Sequence, residues 1–422
     1  MLDIKFIREN AQLVQEAAAK KRIDFFDVRK LLEVDGRRLN LLKETEELRA
    51  KQNIASEKIA QMEDQNEKDN EIKTLRVLKE ALAKKERELK EIEKEWKKLM
   101  YEVPNIPDPS VPEGSDEKDN QEIRQWGELP NFGFKAKDHV ALMENLNLAD
   151  LERGIKVSGF RGYFLKNEAV LLSLALWQFV FDTFSKSDYQ PIFAPALVKE
   201  ENLFGTGHFP QAKEDVYKTQ DELYLSATAE ISLMGLHSGE ILEENELPKK
   251  YLAFSPCFRR EAGAHGKDTK GIYRLHEFFK IEQLILCQND HNESVKWHEA
   301  LTSNAEKILQ VLGLPYRVVV NCGGDIGRAH VKTYDIEVWI PSEKKYRESH
   351  SASYYHDFQT RRLNIRYRDR EGKIHFAHSL NNTAVATPRI LIAILENNQQ
   401  KDGTIKIPKA LQKYLNKEVI TV

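Results

Sequence analysis

Cysteine is scarce in this sequence of 422 residues: Cys257, Cys287 and Cys322 are the only three, and they lie far apart. None belongs to a CxxC pair or has a histidine at metal-ligand spacing. The pattern therefore argues against structural zinc and against a disulfide framework. A few scattered cysteines are typical of a reducing compartment, and we expect a cytoplasmic protein.

Membrane-length apolar runs and phosphate-binding glycine loops are lacking as well. The longest apolar run, residues 169–181, is too short to span a bilayer and suits a buried helix. The N-terminal MLDIKFIREN carries charges where a signal peptide needs an apolar core. Neither a GxxxxGK loop nor GxGxxG occurs, which excludes a P-loop or Rossmann-type nucleotide site. With a formal net charge of -3, any contact with nucleic acid must come from a local patch.

The first hundred residues contain almost no glycine or proline, and they have the spacing of a coiled coil. Positions spaced alternately three and four residues apart are apolar in six of nine cases from Val34 to Met62 and in seven of eight from Leu75 to Leu99. The polar segment Glu63–Glu71 between them predicts a reversal, and thus an antiparallel helical arm about 50 Å long. Its other faces mix both signs of charge, so oligomerisation or spacing explains the arm as well as phosphate binding does.

Four prolines within Val103–Gly114 predict an extended linker and a domain boundary. Helical patterns follow at Ala169–Ser185, Ser294–Leu312 and Arg389–Asn398. Strand patterns occur at Tyr251–Glu261, Phe279–Cys287, Tyr316–Cys322 and Tyr334–Ile340. Because short turns join several of the strands, they indicate an antiparallel sheet. We predict an α+β protein with an antiparallel coiled-coil arm at residues 1–102, a linker at 103–120, and a domain at 121–422 built on an antiparallel sheet flanked by helices.

One hairpin-like stretch, Phe258–Gln283, carries charges that an ordinary surface hairpin does not need. Arg259 and Glu261 lie two residues apart, which would place them on one face of a strand. Glu282 alternates into the apolar face of the second strand, where an unpaired carboxylate costs several kcal/mol. Two partners are open for it: its neighbour Lys280 on the same face, or the ammonium or hydroxyl group of a ligand.

The whole chain resembles a bacterial-type seryl-tRNA synthetase, one of the class II aminoacyl-tRNA synthetases. The helical arm, the linker NIPDPSVPEG, the stretches GTGHFP and TAE, and three class II motifs carry the resemblance. The first motif is YQPIFAPALV, in which Pro195 would close the helix that builds a homodimer interface. The second is FRREAG followed by GIYRLHEFFKIE, and the third is NNTAVATPR.

The resemblance implies a site for ATP, L-serine and Mg²⁺. Arg259 would grip the α-phosphate, Arg389 would meet the γ-phosphate, and Phe278 would stack on adenine. The ATP site would comprise Arg259, Arg260, Glu261, Arg274, Phe278, Glu348, Ser349, His350, Ser351 and Arg389. The serine site would comprise Thr228, Ala229, Glu230, Arg259, Glu282, Asn381 and Thr383. Glu348 and Ser351 would be the Mg²⁺ ligands, and Arg259 and Arg389 the catalytic residues.

The activity implied is that of a serine–tRNA ligase, which forms seryl-adenylate from L-serine and ATP and passes the seryl group to serine tRNA, and also to selenocysteine tRNA. The helical arm would hold the long variable arm of the tRNA by shape and backbone contacts. Two other classes compete. A ligase for a carrier protein would lack the long arm, and an inactive paralogue acting as an RNA-binding or scaffold protein would have lost Arg259, Glu282 or Arg389.

Two stretches depart from the family pattern. The third motif has Asn382 and Ala384 where glycines are usual, and we expect Asn382 to adopt a left-handed backbone. Thr387 is expected to cap the following helix, with Pro388 in its first turn. In the metal-side stretch ESHSASYY, His350 is unusual, and we expect its side chain to face away from the metal.

Overall fold

The computed structural model describes residues 1–263, 266 and 268–421, which divide into two compact units. One unit comprises residues 3–19 and 23–104, and the other residues 1–2, 20–22 and 105–422. Within the described residues, no helix combines the length and apolarity needed to cross a bilayer.

The helices and strands are numbered in chain order. The α-helices are α1 Ile4–Glu9, α2 Ala11–Lys20, α3 Val28–Gln61, α4 Gln65–Glu102, α5 His139–Asn145, α6 Leu151–Ser158, α7 Glu168–Phe184, α8 Glu200–Thr206, α9 Ala229–Leu236, α10 His291–Leu312, α11 Phe358–Leu363, α12 Thr387–Asn397 and α13 Lys409–Leu415. The strands are β1 Gln121–Trp126, β2 Ala149–Asp150, β3 Phe164–Leu165, β4 Gln190–Phe193, β5 Leu197–Val198, β6 Tyr224–Leu225, β7 Ile241–Glu243, β8 Lys249–Phe258, β9 Glu277–Cys287, β10 Tyr316–Val320, β11 Lys332–Ile340, β12 Lys345–His356, β13 Arg366–Arg368, β14 Ile374–Phe376, β15 His378–Ala386, β16 Ile405–Lys406 and β17 Val419–Ile420.

The helical unit is dominated by the antiparallel pair α3 and α4, called the helical pair below. Asp27 caps α3 and Asp64 caps α4 through their side-chain oxygens, which satisfies first-turn N–H groups. Leu82 and Ile92 of the predicted apolar seam are buried. The coiled-coil prediction is therefore confirmed, but the predicted reversal at Glu63–Glu71 was too long. Because Asp64 caps α4 and the helix begins at Gln65, the turn between the two helices has only three residues, 62–64.

The other unit is built on an eight-stranded sheet with the order β1-β10-β11-β12-β15-β9-β8-β4. Its neighbouring strands are antiparallel except for β4, which runs parallel to β8 at one edge. Helices α7, α10 and α12 supply much of the apolar core through Leu172, Leu309 and Leu391, among others. The predicted α+β class is confirmed, and the three predicted helices agree with these three to within a few residues.

Strands β8, β12 and β15 of this sheet differ from the prediction. Strand β8 ends at Phe258, so Arg259 and Glu261 lie in the loop that follows. Glu261 has a φ of +53°, which breaks the alternation of a strand. The long strands β12 and β15 were missed because their hydroxyl, amide and histidine side chains lack the apolar alternation that marks a strand.

Candidate active site

A cavity of about 280 Å³ opens over strands β8, β9, β12 and β15. Arginines line one part of it, and buried carboxylates line another. Its charged and hydroxyl lining residues include Thr228, Glu230, Arg259, Glu261, Arg274, Lys280, Glu282, Glu348, Ser351, Thr383 and Arg389.

Two of the arginines, Arg259 and Arg389, each lie over an aromatic ring that also lines the cavity. The Arg259 guanidinium lies 5.3 Å from the centre of the Phe278 ring, and its backbone N–H donates to the carbonyl of His276 at 2.9 Å. The Arg389 guanidinium lies 4.8 Å from the Tyr273 ring centre. Stacking on a ring holds a guanidinium in place without using its N–H groups as hydrogen-bond donors.

The loop after β8 brings Glu261 to Arg274. Arg274 Nη1 donates to Glu261 Oε2 at 2.7 Å, and both side chains are largely buried. The positive φ of Glu261 is costly for a residue other than glycine, and such strain persists where the surroundings impose it, often at ligand sites. The pair therefore presents one fixed carboxylate and one fixed guanidinium to the cavity.

A bulge in β12 places Glu348 and Ser351 on the same wall. Ile336 of β11 faces His350 and the next residue faces Glu348, so Ser349 is the extra residue. Residues three apart point to opposite faces of a regular strand, but a bulge between them restores a common side. Glu348 Oε1 lies 2.9 Å from Arg389 Nη1. Burial raises the pKa of Glu348, but Arg389 and Arg259 more than offset this, so that pKa lies below its usual value.

The chemistry of this wall fits a hard cation such as Mg²⁺. A carboxylate and a hydroxyl, Glu348 and Ser351, are oxygen ligands of the preferred kind. Behind them, Asp335 has a buried oxygen without a hydrogen-bond partner in the described part of the chain, and burial and Glu348 raise its pKa to about 8. Among the described residues, no group of three or more His, Cys, Asp or Glu side chains forms a metal cage. The wall thus offers part of a coordination shell, which suits Mg²⁺ because this ion keeps waters and phosphate oxygens.

The carboxylates at the other part of the cavity are Glu230 and Glu282, and one amide joins them. Asn381 Nδ2 donates to Glu230 Oε2 at 2.7 Å and to Glu282 Oε1 at 3.2 Å. Burial raises the pKa of both carboxyl groups. Thr383 Oγ1 lies 3.4 Å from Glu282 Oε2. Thr228 caps α9 by accepting from the N–H of Glu230, and it also lines the cavity.

The two carboxylates differ in their charge partners. Glu230 accepts from the neutral amides of Gln359 and Asn381, and among the described residues no cationic side chain lies within ion-pair distance of it. Glu282 Oε2 lies 2.5 Å from Lys280 Nζ. The sequence left the partner of Glu282 open, and Lys280 fills that place. Lys280 was considered only as that partner, although its position two residues before Glu282 on one strand face was the signal for a cavity residue.

Some predicted site residues do not reach the cavity. Arg260 turns away, with its backbone N–H and its guanidinium bonded to the carbonyls of Asp215 and Glu214. His350 is buried beneath β15, where its Nε2 lies 3.1 Å from the carbonyl oxygen of Ala384. Ala229 is fully buried at the start of α9. Pro195, which was predicted to close a helix, instead lies exposed in the turn between strands β4 and β5, because α7 already ends at Phe184.

Two expectations for the third motif were wrong. Asn382 does not have a positive φ, because a bulge between Thr383 and Val385 accommodates the extra residue instead of a left-handed turn. Thr387 is the first residue of α12 rather than its cap, and its hydroxyl accepts from Trp177 Nε1 at 2.5 Å. Pro388 lies in the first turn of the helix, as predicted.

The antiparallel sheet and this cavity define a class II aminoacyl-tRNA synthetase core. A family model described as the tRNA synthetase class II core domain (G, H, P, S and T) matches residues 214–398. A second model, the seryl-tRNA synthetase N-terminal domain, matches residues 1–107.

Individual relatives cover the chain from end to end. The serine–tRNA ligase of Deinococcus radiodurans is 48% identical over 416 residues, which are 98% of this chain and 97% of that one. The crystal structure of seryl-tRNA synthetase from Pyrococcus horikoshii complexed with ATP has a TM-score of 0.91 and 41% identity, covering 100% of this chain and 99% of that one. The cytoplasmic serine–tRNA ligase of Naegleria fowleri in complex with AMP has a TM-score of 0.86 and 33% identity, with the same coverage. The chain belongs to the seryl-tRNA synthetase family, as the resemblance predicted.

Proposed function

We propose that this chain is a working serine–tRNA ligase that forms seryl-adenylate from L-serine and ATP and transfers the seryl group to the 3′ end of serine tRNA and of selenocysteine tRNA. The observation that supports this most is the single cavity in which ring-supported arginines and two buried carboxylates meet. The arginines suit the negative charges of a triphosphate, and the carboxylates suit the ammonium and polar side chain of an amino acid.

In the activation step, a carboxylate oxygen of serine attacks the α-phosphorus of ATP, and the bond to pyrophosphate breaks. Arg259 and Arg389 neutralise the phosphate oxygens that would repel the incoming carboxylate. Glu261 and Arg274 position the adenine and outer phosphates, with Phe278 against the base. Mg²⁺, held by Glu348 and Ser351 with the phosphates, would supply further positive charge when bound.

We assign the ammonium and the hydroxyl group of serine to the two carboxylates, Glu230 and Glu282, by charge balance. The serine ammonium pairs with Glu230, whose described partners Gln359 and Asn381 are neutral. The serine hydroxyl bonds to Glu282, which Lys280 already neutralises, and to Thr383. Alanine fits by size but leaves these groups unpaired, and a pocket rejects such an analogue strongly for that reason.

In the transfer step, a hydroxyl of the terminal adenosine of tRNA attacks the seryl carbonyl carbon, and AMP leaves. We assign recognition of the tRNA variable arm to the helical pair, which forms the greater part of residues 1–102. Residues 103–120 are the linker and 121–422 the catalytic domain in this scheme. Lysines and arginines on an extended helical surface are suited to contacts with phosphates.

The chain is also proposed to work as a homodimer in the cytoplasm. Strand β4 is the outer strand of the sheet, and apolar side chains there remain exposed: Phe193 is 82% and Leu197 50% exposed. Pro195 lies between them. Exposed apolar groups beside an unpaired sheet edge favour contact with a second copy.

Two assays on one pair of proteins test the proposed function. Wild type should exchange pyrophosphate into ATP with serine but not with alanine, and it should charge serine tRNA. In the second protein, a short Gly-Ser linker replaces residues 47–84, while the Lys85–Glu44 ion pair of 2.8 Å is kept. This protein should retain exchange and lose charging. Absence of serine-dependent exchange in wild type would refute the proposal, and intact charging by the shortened protein would refute the role of the helical pair.

A further inference from the structure

We infer that Lys280 makes the side-chain subsite selective for a neutral hydroxyl over an ammonium group, so that β-amino analogues of serine are rejected. This inference rests on the proposed function, because it concerns the amino acid that the cavity accepts. It assigns Lys280 as a specificity-determining residue that acts through Glu282.

The geometry of the Lys280–Glu282 pair supports the inference. Both residues lie on β9, and their side chains are 8% and 1% exposed. Lys280 Nζ lies 2.5 Å from Glu282 Oε2, in direct ion-pair contact, and hydrogen bonds between charged groups are stronger than those between neutral ones. Both side chains line the cavity, so the pair is part of the wall that a ligand meets.

The same cavity contains a carboxylate without such a partner. Glu230 receives hydrogen bonds of 2.6 Å from Gln359 and 2.7 Å from Asn381, both of them neutral. Arg259 is close enough to Glu282 to influence it electrostatically, and Lys280 is close enough to influence Glu230. Among the described residues, however, neither of these two pairs lies within ion-pair distance. One carboxylate is therefore open to a cation, and the other already has one.

This asymmetry matches the charges of serine, which has one ammonium and one neutral hydroxyl. An amino acid with an ammonium in place of the hydroxyl would bring a second positive charge to a pair that is already balanced. A buried charge without a partner is strongly unfavourable. Removing the Lys280 charge would reverse the preference for a hydroxyl over an ammonium side chain. Glu282 would then be an unpaired buried carboxylate, which the ammonium of the ligand could neutralise.

The experiment compares L-serine with L-2,3-diaminopropionate, whose side chain ends in an ammonium. The kcat/KM of each is measured by pyrophosphate exchange in wild type, Lys280→Met, Lys280→Arg and Lys249→Met. Lys249 forms an ion pair of 3.0 Å with Glu246 outside the cavity and is the matched control. The ratio of the two values within one preparation does not depend on the folded fraction.

We expect the ratio of diaminopropionate to serine to rise by about tenfold or more in Lys280→Met, and to stay near the wild-type value in Lys280→Arg and Lys249→Met. Adding Glu282→Gln to Lys280→Met should remove the rise, because the carboxylate that attracts the ammonium is gone. An unchanged ratio in Lys280→Met, or an equal rise in Lys249→Met, would overturn the inference.

If Lys280→Met is too slow for exchange, calorimetric binding of both amino acids to the folded variant gives the same ratio, and a wild-type ratio there would also overturn the inference. Failure of wild type to use serine at all would instead refute the proposed function.

Discussion

The helical pair and the cavity both contain many ion pairs, but they differ in how much water surrounds them. In the helical pair, Arg49 and Glu86 lie 2.7 Å apart with side chains 55% and 45% exposed. In the cavity, Lys280 and Glu282 lie 2.5 Å apart and are almost completely buried. Water weakens the first attraction, whereas the second acts in a medium of low dielectric constant.

The difference shows what each region uses charge for. An exposed pair contributes little to stability, so charges on the helical pair can vary while the apolar seam holds the helices together. A buried charge must be matched, and a change to one partner leaves the other unpaired. Single substitutions should therefore have large effects in the cavity and small effects on the surface of the helical pair.

The largest expected effect comes from Arg259→Ala. It removes the ring-supported guanidinium that we propose to bind the α-phosphate, and we expect serine-dependent exchange to fall by about a thousandfold. Arg260→Ala is the matched control, because its side chain is exposed and bonded to the carbonyl of Glu214 outside the cavity. It should retain activity within about twofold of wild type. Equal losses in the two variants would show that the arginine lining the cavity is no more important for exchange than the exposed one outside it.

The smallest expected effect comes from Arg49→Ala. It breaks the exposed pair with Glu86, and we expect the Tm measured by circular dichroism to fall by no more than about 2 °C. Leu82→Ala on the same helical pair is the control, since Leu82 is 7% exposed and belongs to the apolar seam. Its Tm should fall several times further. A larger loss for Arg49→Ala than for Leu82→Ala would show that surface charge, rather than apolar burial, holds these helices together.

Much of this contrast could be predicted from the sequence. The three-four spacing identified the helices, and the resemblance identified Arg259, Glu261, Glu282, Glu348 and Arg389 as site residues, all of which line the cavity. The bulges at Ser349 and Ala384 could not be predicted, because each depends on the register of a neighbouring strand. Register is set by pairing across the sheet, which local spacing does not reveal.

The orientation of individual side chains could not be predicted from the sequence either. The sequence does not distinguish the adjacent residues Arg259 and Arg260. Arg259 lines the cavity and Arg260 does not, because β8 ends at Phe258 and the chain turns after it. Likewise, the sequence left the partner of Glu282 open between Lys280 and a ligand, and only the side-chain positions show the ion pair with Lys280. Alternation along a strand gives the face of a residue but not its partner.

A crystal structure of the protein with a non-hydrolysable seryl-adenylate analogue is the most direct test of the central claim that one cavity holds phosphate and serine side by side. We predict that Arg259 lies within about 3 Å of the phosphate-equivalent oxygens and that Glu282 accepts from the seryl hydroxyl while keeping Lys280. An analogue bound with both Arg259 and Glu282 pointing away from it would contradict the account.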